Sequence, residues 1–183
     1  MSTTIAELNR LDRAAFARSL GHIYEHSPWV GERAWSARPF ASIQALWSAM
    51  QQVVERAGND EQLALIRAHP ELAGKLAIAQ QLTTDSRVEQ AGAGLDRCTP
   101  EEFAQFQALN KAYREKFGFP FIVAVRGLDR STILERMRQR VNHSTEQEFA
   151  TCLREIGRIA RFRLDDLIEE HEVSSNHRSQ THG

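Results

Sequence analysis

The 183-residue sequence contains only two cysteines, Cys98 and Cys152, and this scarcity excludes two classes of protein. Two widely separated cysteines cannot form the disulfide framework of a small secreted domain. They also lack the paired spacing by which cysteines bind a structural zinc ion. We therefore expect a protein of a reducing compartment.

Long apolar runs and a strong net charge are also absent. No run approaches the roughly 20 apolar residues of a membrane-spanning helix, and the N-terminal residues do not resemble a signal peptide. The final residues do not form a peroxisomal address. With a formal net charge of -1, the chain has no global field to attract nucleic acid or an anionic membrane. These absences predict a cytoplasmic protein without nucleic-acid or membrane partners.

β-Strand patterns are scarce too. The only strand-like run lies at 119–126, and one strand cannot form a sheet. Elsewhere, apolar residues recur at three- and four-residue steps, as in amphipathic helices. We predict an all-α fold in which residues 1–170 form a single-domain helical bundle with one buried extended segment near 119–126. Residues 171–183, which are polar and aperiodic, should form a disordered tail.

Capping and helix-breaking residues predict where the helices begin and end. The clearest starts are capping boxes, in which a cap residue is followed three positions later by Glu or Gln. We place helix starts at Ser42, Asn59, Thr99, Ser131 and Ser144, and helix ends at Gly58, Pro70, Gly118 and Val141.

His69 is the leading candidate for acid/base chemistry. It directly precedes Pro70, and proline disfavours the α conformation in the residue before it. The imidazole should therefore project from the end of a helix, where it could reach a cavity. Its unperturbed pKa lies nearer neutrality than that of any other side chain. Glu89, which follows in a polar segment punctuated by glycines, could complete an acid/base pair.

The segment around Glu89 allows two interpretations. Residues 86–89 match a capping box, in which Glu89 would only complete the start of a helix. If the helix begins a few residues earlier, Ser86, Glu89 and Gln90 share one face. Those three side chains could then converge on one small ligand.

Arg163 is the arginine of the last helix that falls within its apolar stripe, whereas Arg158 points to the opposite side and Arg161 lies near the edge. An arginine that faces the interior needs an anionic partner. That partner could be a substrate carboxylate or a buried acid in a structural ion pair. Alternatively, the side chain could extend outward along the helix to reach solvent.

Three further features have both a structural and a functional interpretation. His22 and His26, at a four-residue spacing on a predicted helix, could chelate zinc, but a surface position is favoured because a zinc site needs a further ligand. Asn110 lies within an aromatic stripe, where a structural hydrogen-bonding role is favoured. The backbone of the extended segment needs partners, which a bound polar ligand could supply.

Several long motifs occur in a fixed order along the chain. HPELAGK occupies 69–75, SRVEQAGAGL occupies 86–95, and KFGFPFIVAVRG occupies 116–127 after Asn110 and Tyr113. Together with RIARFRL at 158–164, these motifs resemble the OHCU decarboxylase family of urate catabolism. The resemblance covers nearly the whole chain, from about residue 5 to residue 170.

The resemblance implies an all-α homodimer that uses neither a metal nor an organic cofactor. Its reaction would convert 2-oxo-4-hydroxy-4-carboxy-5-ureidoimidazoline, a small molecule, to (S)-allantoin and carbon dioxide. His69 would be catalytic with Glu89 as its acidic partner, and Arg163 would bind a substrate anion. The other substrate-binding residues that the motifs imply are Pro70, Ser86, Gln90, Phe121, Ile122, Val123, Ala124 and Val125.

Two other functions are compatible with the residues alone. A non-enzymatic helical module could sense a small ligand or bind a partner, with Ser86 and Glu89 serving only as a helix cap. A metal-binding helical protein could use His22, His26 and the histidines of the C-terminal tail. Turnover of the ureidoimidazoline would distinguish the enzyme from both.

Overall fold

The computed structural model describes residues 2–72 and 98–169. Within these ranges it contains eight α-helices, a short 3₁₀ turn at Trp35–Ala37 and no strand, which confirms the predicted all-α class. The helices are α1 (Ile5–Arg10), α2 (Arg13–Ser19), α3 (Trp29–Ala34), α4 (Ile43–Arg56), α5 (Asn59–Ala68), α6 (Pro100–Phe117), α7 (Arg130–Arg140) and α8 (Thr145–Leu167). None of these helices is both long and apolar enough to cross a membrane.

The two ends of the described chain meet beside the end of α8. Thr3 forms an isolated parallel bridge with Ile168. Its N–H donates to the carbonyl of Leu167 at 3.0 Å, and its own carbonyl accepts from the N–H of Glu169 at 2.8 Å. The predicted tail over 171–183 lies outside the described residues.

Most of the predicted helix boundaries are confirmed. The Ser42 hydroxyl caps α4, and Thr99 and Ser144 form complete capping boxes at the starts of α6 and α8. Gly118 ends α6 in the left-handed conformation, with φ of 73°, where a residue with a Cβ would be strained. Helix α7 begins at Arg130, one residue before the predicted start, because Asp129 caps it.

The junction between α4 and α5 differs from the prediction. Asn59 does not cap α5, because it is already helical and Gly58 is the N-cap without a side-chain hydrogen bond. Gly58 does not end α4 either, since the C-cap is Ala57. Both connecting residues have extended backbones, so the junction uses no left-handed residue. Gln62, expected to complete a capping box, instead donates to the carbonyl of Val54 at 2.8 Å and satisfies the end of α4.

The core is organised around α8, which packs against α4, α5 and α6. Helix α3 packs between α2 and α4, and α7 packs against α6. Burial of one continuous apolar stripe on the longest helix explains why α8 is central, because apolar area removed from water is the main favourable term in folding. The most buried apolar residues of that stripe, each at most 1% exposed, are Cys152, Ile156, Ala160 and Leu164.

Gly157 permits the close approach of α8 to α4. A Cβ at this position would collide with the side-chain amide of Gln51. The Gly157 carbonyl accepts a hydrogen bond from the indole N–H of Trp47 at 2.8 Å. Gln51 in turn accepts from the hydroxyl of Tyr24 at 2.7 Å, which connects this crossing to the turn that follows α2.

Candidate active site

His69 lies where the prediction placed it, at the C-cap of α5. Its backbone is extended, with φ of -74° and ψ of 133°, as the following proline requires. The side chain is 7% exposed, so the imidazole faces the interior. Pro70, predicted to line a substrate pocket, is exposed.

The hydrogen bond at Nδ1 determines the tautomer of the neutral His69 ring. Nδ1 lies 2.9 Å from the carbonyl oxygen of Leu65, one turn earlier in α5. A carbonyl can only accept, so Nδ1 carries the hydrogen and donates. In the neutral ring, the lone pair is therefore on Nε2. Any proton that the neutral ring accepts is therefore accepted at Nε2.

Glu71 connects the segment after His69 to α6. Asn110 Nδ2 donates to Glu71 Oε2 at 3.0 Å, and Arg114 forms an ion pair with Glu71 Oε1. Asn110 is 7% exposed, so its amide would need a partner wherever it pointed. Its contact with Glu71 agrees with the structural role favoured from the sequence.

The predicted extended segment connects α6 to α7 and is buried without forming a strand. Every residue from Phe119 to Val125 is buried. The N–H of Ala124 donates to Glu155 Oε2 at 2.8 Å, and the carbonyl of Ile122 accepts from Arg140 Nη1 at 2.6 Å. Protein side chains therefore supply some of the backbone partners that a bound ligand was expected to be able to supply.

A buried polar network lies behind this segment. Glu148, which is fully buried, accepts from Tyr113 and from Arg140 Nε at 2.9 Å, and it pairs with His143 at 2.9 Å. The Cys152 thiol lies 3.4 Å from the Tyr113 hydroxyl and 3.6 Å from Arg140 Nη2. The network satisfies an anion and a cation that would be costly to bury singly.

Burial and the contacts within the network shift the pKa values of three groups. Burial is the main cause that raises the pKa of Tyr113 far above its usual value and that of the Cys152 thiol above its usual value. Burial alone would lower the pKa of Arg140, but the hydrogen bond and charge of Glu148 raise it by more. At neutral pH the phenol and thiol are therefore neutral and the guanidinium is charged.

Arg163 is buried, as its position in the apolar stripe predicted. It is 8% exposed. Its Nη2 lies 2.9 Å from Glu25 Oε1, and its Nη1 donates to the carbonyls of His22 at 3.1 Å and Ile23 at 3.5 Å. The structural ion pair considered in the sequence analysis is therefore present. Arg163 thus joins α8 to the turn between α2 and α3.

The other two arginines of the closing motif lie nearer the surface. Arg158 has a side chain 51% exposed and pairs with Glu155, whereas Arg161 has a side chain 32% exposed and pairs with Asp165. Burial therefore separates Arg163 from both of them.

The predicted helix carrying His22 and His26 is not formed. Helix α2 ends at Ser19, and residues 21–26 form turns. His26 has φ of 46°, a left-handed backbone that interrupts helical periodicity. Both side chains are exposed, and the residues that the structure describes contain no cluster of metal-ligating side chains. The shared helix face proposed for these two histidines is therefore wrong.

Three predicted site residues cannot be placed in this geometry. Ser86, Glu89 and Gln90 lie outside the described residues. The pairing of Glu89 with His69 and the convergence of all three on a ligand therefore stay predictions.

Comparison with known proteins assigns the chain to a family. The sequence matches the OHCU decarboxylase family over residues 9–165. It is 45% identical over 164 residues to the 2-oxo-4-hydroxy-4-carboxy-5-ureidoimidazoline decarboxylase of Halalkalicoccus jeotgali, covering 90% of this chain and 91% of the relative. The decarboxylase of the same name from Haloferax volcanii is 47% identical over 161 residues, covering 88% and 94%. The chain belongs to the OHCU decarboxylase family.

A solved structure also resembles this OHCU decarboxylase family member. The crystal structure of an (S)-allantoin synthase superposes with a TM-score of 0.71 at 34% sequence identity. The match covers 91% of this chain and 54% of that one, so the chain spans about half the length of the synthase.

Three acidic residues of this OHCU decarboxylase family member were not predicted from the sequence: Glu148 pairs with Arg140, Glu155 accepts from the Ala124 N–H, and Glu25 pairs with Arg163. Glu148 and Glu155 lie at the edge of the same stripe of α8 that identified Arg163, and both are at most 9% exposed. Helical periodicity could have selected these two glutamates. Glu25, in the turn after α2, has no comparable pattern, since only the tertiary structure brings it to Arg163.

Proposed function

We infer that this chain decarboxylates 2-oxo-4-hydroxy-4-carboxy-5-ureidoimidazoline to (S)-allantoin and carbon dioxide in urate degradation. Membership of the OHCU decarboxylase family over most of the chain supports this activity. The structural observation that carries it is the buried imidazole of His69, held by Leu65 so that Nε2 is the reactive nitrogen.

The chemistry of the substrate explains why ordinary side chains suffice. The departing carboxylate is attached to a carbon next to a ring C=N bond, and the ring can accept the electron pair that carbon dioxide leaves behind. The protein must orient the carboxylate, exclude water and control the face on which a proton returns. Protonation on one face alone gives a single enantiomer of allantoin.

His69 is the proposed acid/base residue. Its Nε2 engages the hydroxyl beside the departing carboxylate, while the Leu65 carbonyl fixes the tautomer through Nδ1. Glu89 sets the orientation and charge of the imidazole. A residue in this role typically contributes about 10²–10⁴-fold to the rate.

The remaining groups hold the substrate. The buried backbone from Phe121 to Val125 binds the heterocycle, and Pro70, Ser86 and Gln90 line the pocket. Arg163 binds a substrate anion. A guanidinium can hold a glutamate and a substrate carboxylate together because its N–H donors point to more than one side. Glu25 would then fix the plane in which Arg163 meets the substrate.

The active form is a homodimer in the cytoplasm, and the reaction proceeds without a metal or organic cofactor. The ring of the substrate supplies the electron sink that a cofactor supplies in other decarboxylases. Analytical ultracentrifugation of the purified chain tests the dimer, and a single species with the mass of one chain would contradict it.

Stereospecific turnover tests the activity. Freshly generated ureidoimidazoline is added to the wild type, and formation of (S)-allantoin is followed by circular dichroism. We expect the wild type to exceed the spontaneous reaction and His69→Ala to lose about 10²–10⁴-fold in kcat. His26→Ala, a change of an exposed histidine, is the matched control and should retain wild-type kcat.

The outcomes separate the enzyme from a ligand-sensing module. A wild type no faster than the spontaneous reaction would remove the proposed activity. An active His69→Ala variant would leave the activity in place and remove His69 from its proposed role. Glu89→Gln should lower kcat without loss of folded helical signal, whereas a residue serving only as a helix cap would lower stability alone.

A further inference from the structure

Within residues 2–72 and 98–169, no strand lies beside the buried segment from Phe121 to Val125 to hold its backbone. Buried backbone N–H and C=O groups need partners, and a sheet would supply them along a whole edge. Here two charged side chains from neighbouring helices do so at single points. These two side chains therefore fix the backbone of the segment at Ile122 and at Ala124.

Arg140, the last residue of α7, binds the segment at Ile122. Its Nη1 donates to the Ile122 carbonyl at 2.6 Å, and its guanidinium lies 4.3 Å from the centre of the Phe121 ring. Glu148 of α8 holds the same guanidinium, with its Oε2 at 2.9 Å from Arg140 Nη2. A guanidinium held by a fully buried carboxylate has little freedom to move, so the carbonyl that it binds is fixed as well.

Glu155 of α8 binds the segment at Ala124. Its Oε2 accepts from the Ala124 N–H at 2.8 Å, and its Oε1 pairs with the outward-facing Arg158 at 3.2 Å. Only 9% of Glu155 is exposed. A hydrogen bond from an amide to a carboxylate in such a site is shorter and stronger than one between neutral groups.

The contacts at Ile122 and Ala124 lie on the same edge of the segment. Ile122 and Ala124 are two positions apart, and both direct a backbone group toward α7 and α8. This is the alternation of an extended chain, in which the residue between them directs its backbone groups to the opposite edge. From this alternation we infer that the backbone groups of Val123 point to the edge that faces away from Arg140 and Glu155.

We propose that Arg140 and Glu155 are positioning residues, which hold one edge of the Phe121–Val125 backbone so that the opposite edge binds the ureidoimidazoline. The proposal rests on the proposed function, in which this segment contacts the heterocycle. Neither side chain touches the substrate. Their effect is on where the substrate-binding backbone groups lie.

This role predicts a particular change in kinetics. The backbone contacts to the heterocycle exist both before and during decarboxylation. Disordering them therefore weakens the binding of the substrate and of the transition state by a similar amount. Such a change raises KM and leaves kcat nearly unchanged. Loss of His69 lowers kcat instead, so the two roles give different results in one assay.

The main test compares two substitutions at Glu155. Glu155→Leu removes the acceptor for the Ala124 N–H, and we expect KM to rise about 10- to 100-fold with kcat within about threefold. Glu155→Gln keeps a side-chain oxygen that can accept from the same N–H, so most of the lost affinity should return. Inhibition by added (S)-allantoin should weaken in parallel with KM. Thermal unfolding reports whether each variant folds.

A second substitution covers the case in which Glu155→Leu does not fold. Arg140→Lys keeps a positive charge beside Glu148 but lacks the planar fork that reaches Glu148 and Ile122 together. We expect the same rise in KM with kcat little changed. Glu115→Leu, which removes an exposed glutamate of α6, is the control and should leave both constants at wild-type values.

The outcomes distinguish this proposal from the proposed function. With an active wild type, unchanged KM in folded Glu155→Leu and Arg140→Lys would overturn the positioning role alone. A fall in kcat at constant KM would also overturn it, because it would place these residues in the chemistry. A wild type without turnover would overturn the proposed function and this proposal with it.

Discussion

Arg140 and Arg163 are both buried, and each pairs with a glutamate and donates to a main-chain carbonyl. Arg140 is 7% exposed and meets Glu148, which is fully buried, whereas Arg163 is 8% exposed and meets Glu25, whose side chain is 23% exposed. Arg140 therefore belongs to a buried network in the core, whose member His143 extends to the surface with a side chain 43% exposed. The partner of Arg163 can still reach water.

The difference shows why burial alone does not assign a role to an arginine. Helical periodicity selected Arg163 and passed over Arg140, yet the two are equally hidden from solvent. What separates them is the set of groups around each guanidinium. Arg140 holds the extended segment from behind, and Arg163 holds the turn between α2 and α3 while remaining the candidate for the substrate anion.

The largest expected effect comes from breaking the buried network around Glu148. Arg140→Met removes the buried guanidinium from Glu148 and leaves it with Tyr113 and His143 as partners, and we expect the free energy of unfolding to fall by about 3–5 kcal/mol in urea titrations. Arg138→Met, on the same helix with a side chain 49% exposed, should change it by less than about 0.5 kcal/mol. Adding Glu148→Leu to Arg140→Met should recover part of the loss, since no buried charge then lacks a partner. A loss below about 1 kcal/mol would show that Glu148 is compensated in another way.

Arg163→Met sharpens the comparison through activity. We expect kcat/KM to fall about 100-fold from the lost contact with the substrate anion. Stability should fall by only about 1–2 kcal/mol, because Glu25 can be hydrated. The more exposed Arg158 and Arg161 should each tolerate methionine with kcat/KM within about threefold. If Arg161→Met or Arg158→Met caused the larger loss, the assignment from burial would be wrong.

Gly157→Ala tests the packing of α8 against α4 near Arg163, without changing the arginine itself. The added Cβ would displace Gln51, which accepts the hydrogen bond of the buried Tyr24 beside Glu25. We expect a loss of about 1–2 kcal/mol in thermal or urea unfolding, from overpacking and one lost hydrogen bond. Gly58→Ala is the control, since a Cβ there meets no atom of the described part of the chain within 4 Å. Equal losses for the two variants would contradict the proposed crowding at Gly157.

The smallest effect concerns the start of the helix that carries Arg140. Hydrogen bonds from the side chain and then the backbone N–H of Thr132, with a further one from Ser131, hold the pKa of Asp129 below 3.8. The lowered pKa gives a stabilisation that is complete above that pH and is lost as the pH falls through the folded-state value. Asp129→Asn can still cap α7 but does not titrate. The Tm of the wild type should therefore fall relative to the Tm of Asp129→Asn as the pH decreases below about 4. A shift in the opposite direction would contradict the cap assignment.

Local signals in the sequence predicted most of the helices. Ser42, Thr99, Ser144 and Gly118 act as expected because each bonds or turns within a few residues of its own position. The prediction failed at Asn59, where the short connection lets Gln62 satisfy the preceding helix instead. It failed again at His22 and His26, where a left-handed backbone interrupts the expected helix.

The candidate site was predictable in part. His69 before Pro70 is a local pattern, and the structure places the imidazole in the interior as that pattern indicates. The tautomer of the neutral ring was not predictable, because it depends on how Nδ1 reaches the Leu65 carbonyl. The partners of the extended segment were also missed, since Arg140 and Glu155 are distant from it in sequence.

The sequence by itself determined the helical class, the helix caps and the motifs that identify the family, because each depends on neighbouring residues or on fixed spacing along one chain. Only the tertiary structure decided which charges are buried and what compensates them. Arg163 meets Glu25, and Trp47 meets Gly157, across large separations in sequence. Such contacts form when helices pack, and a buried charge is stable only with the partner that this packing supplies.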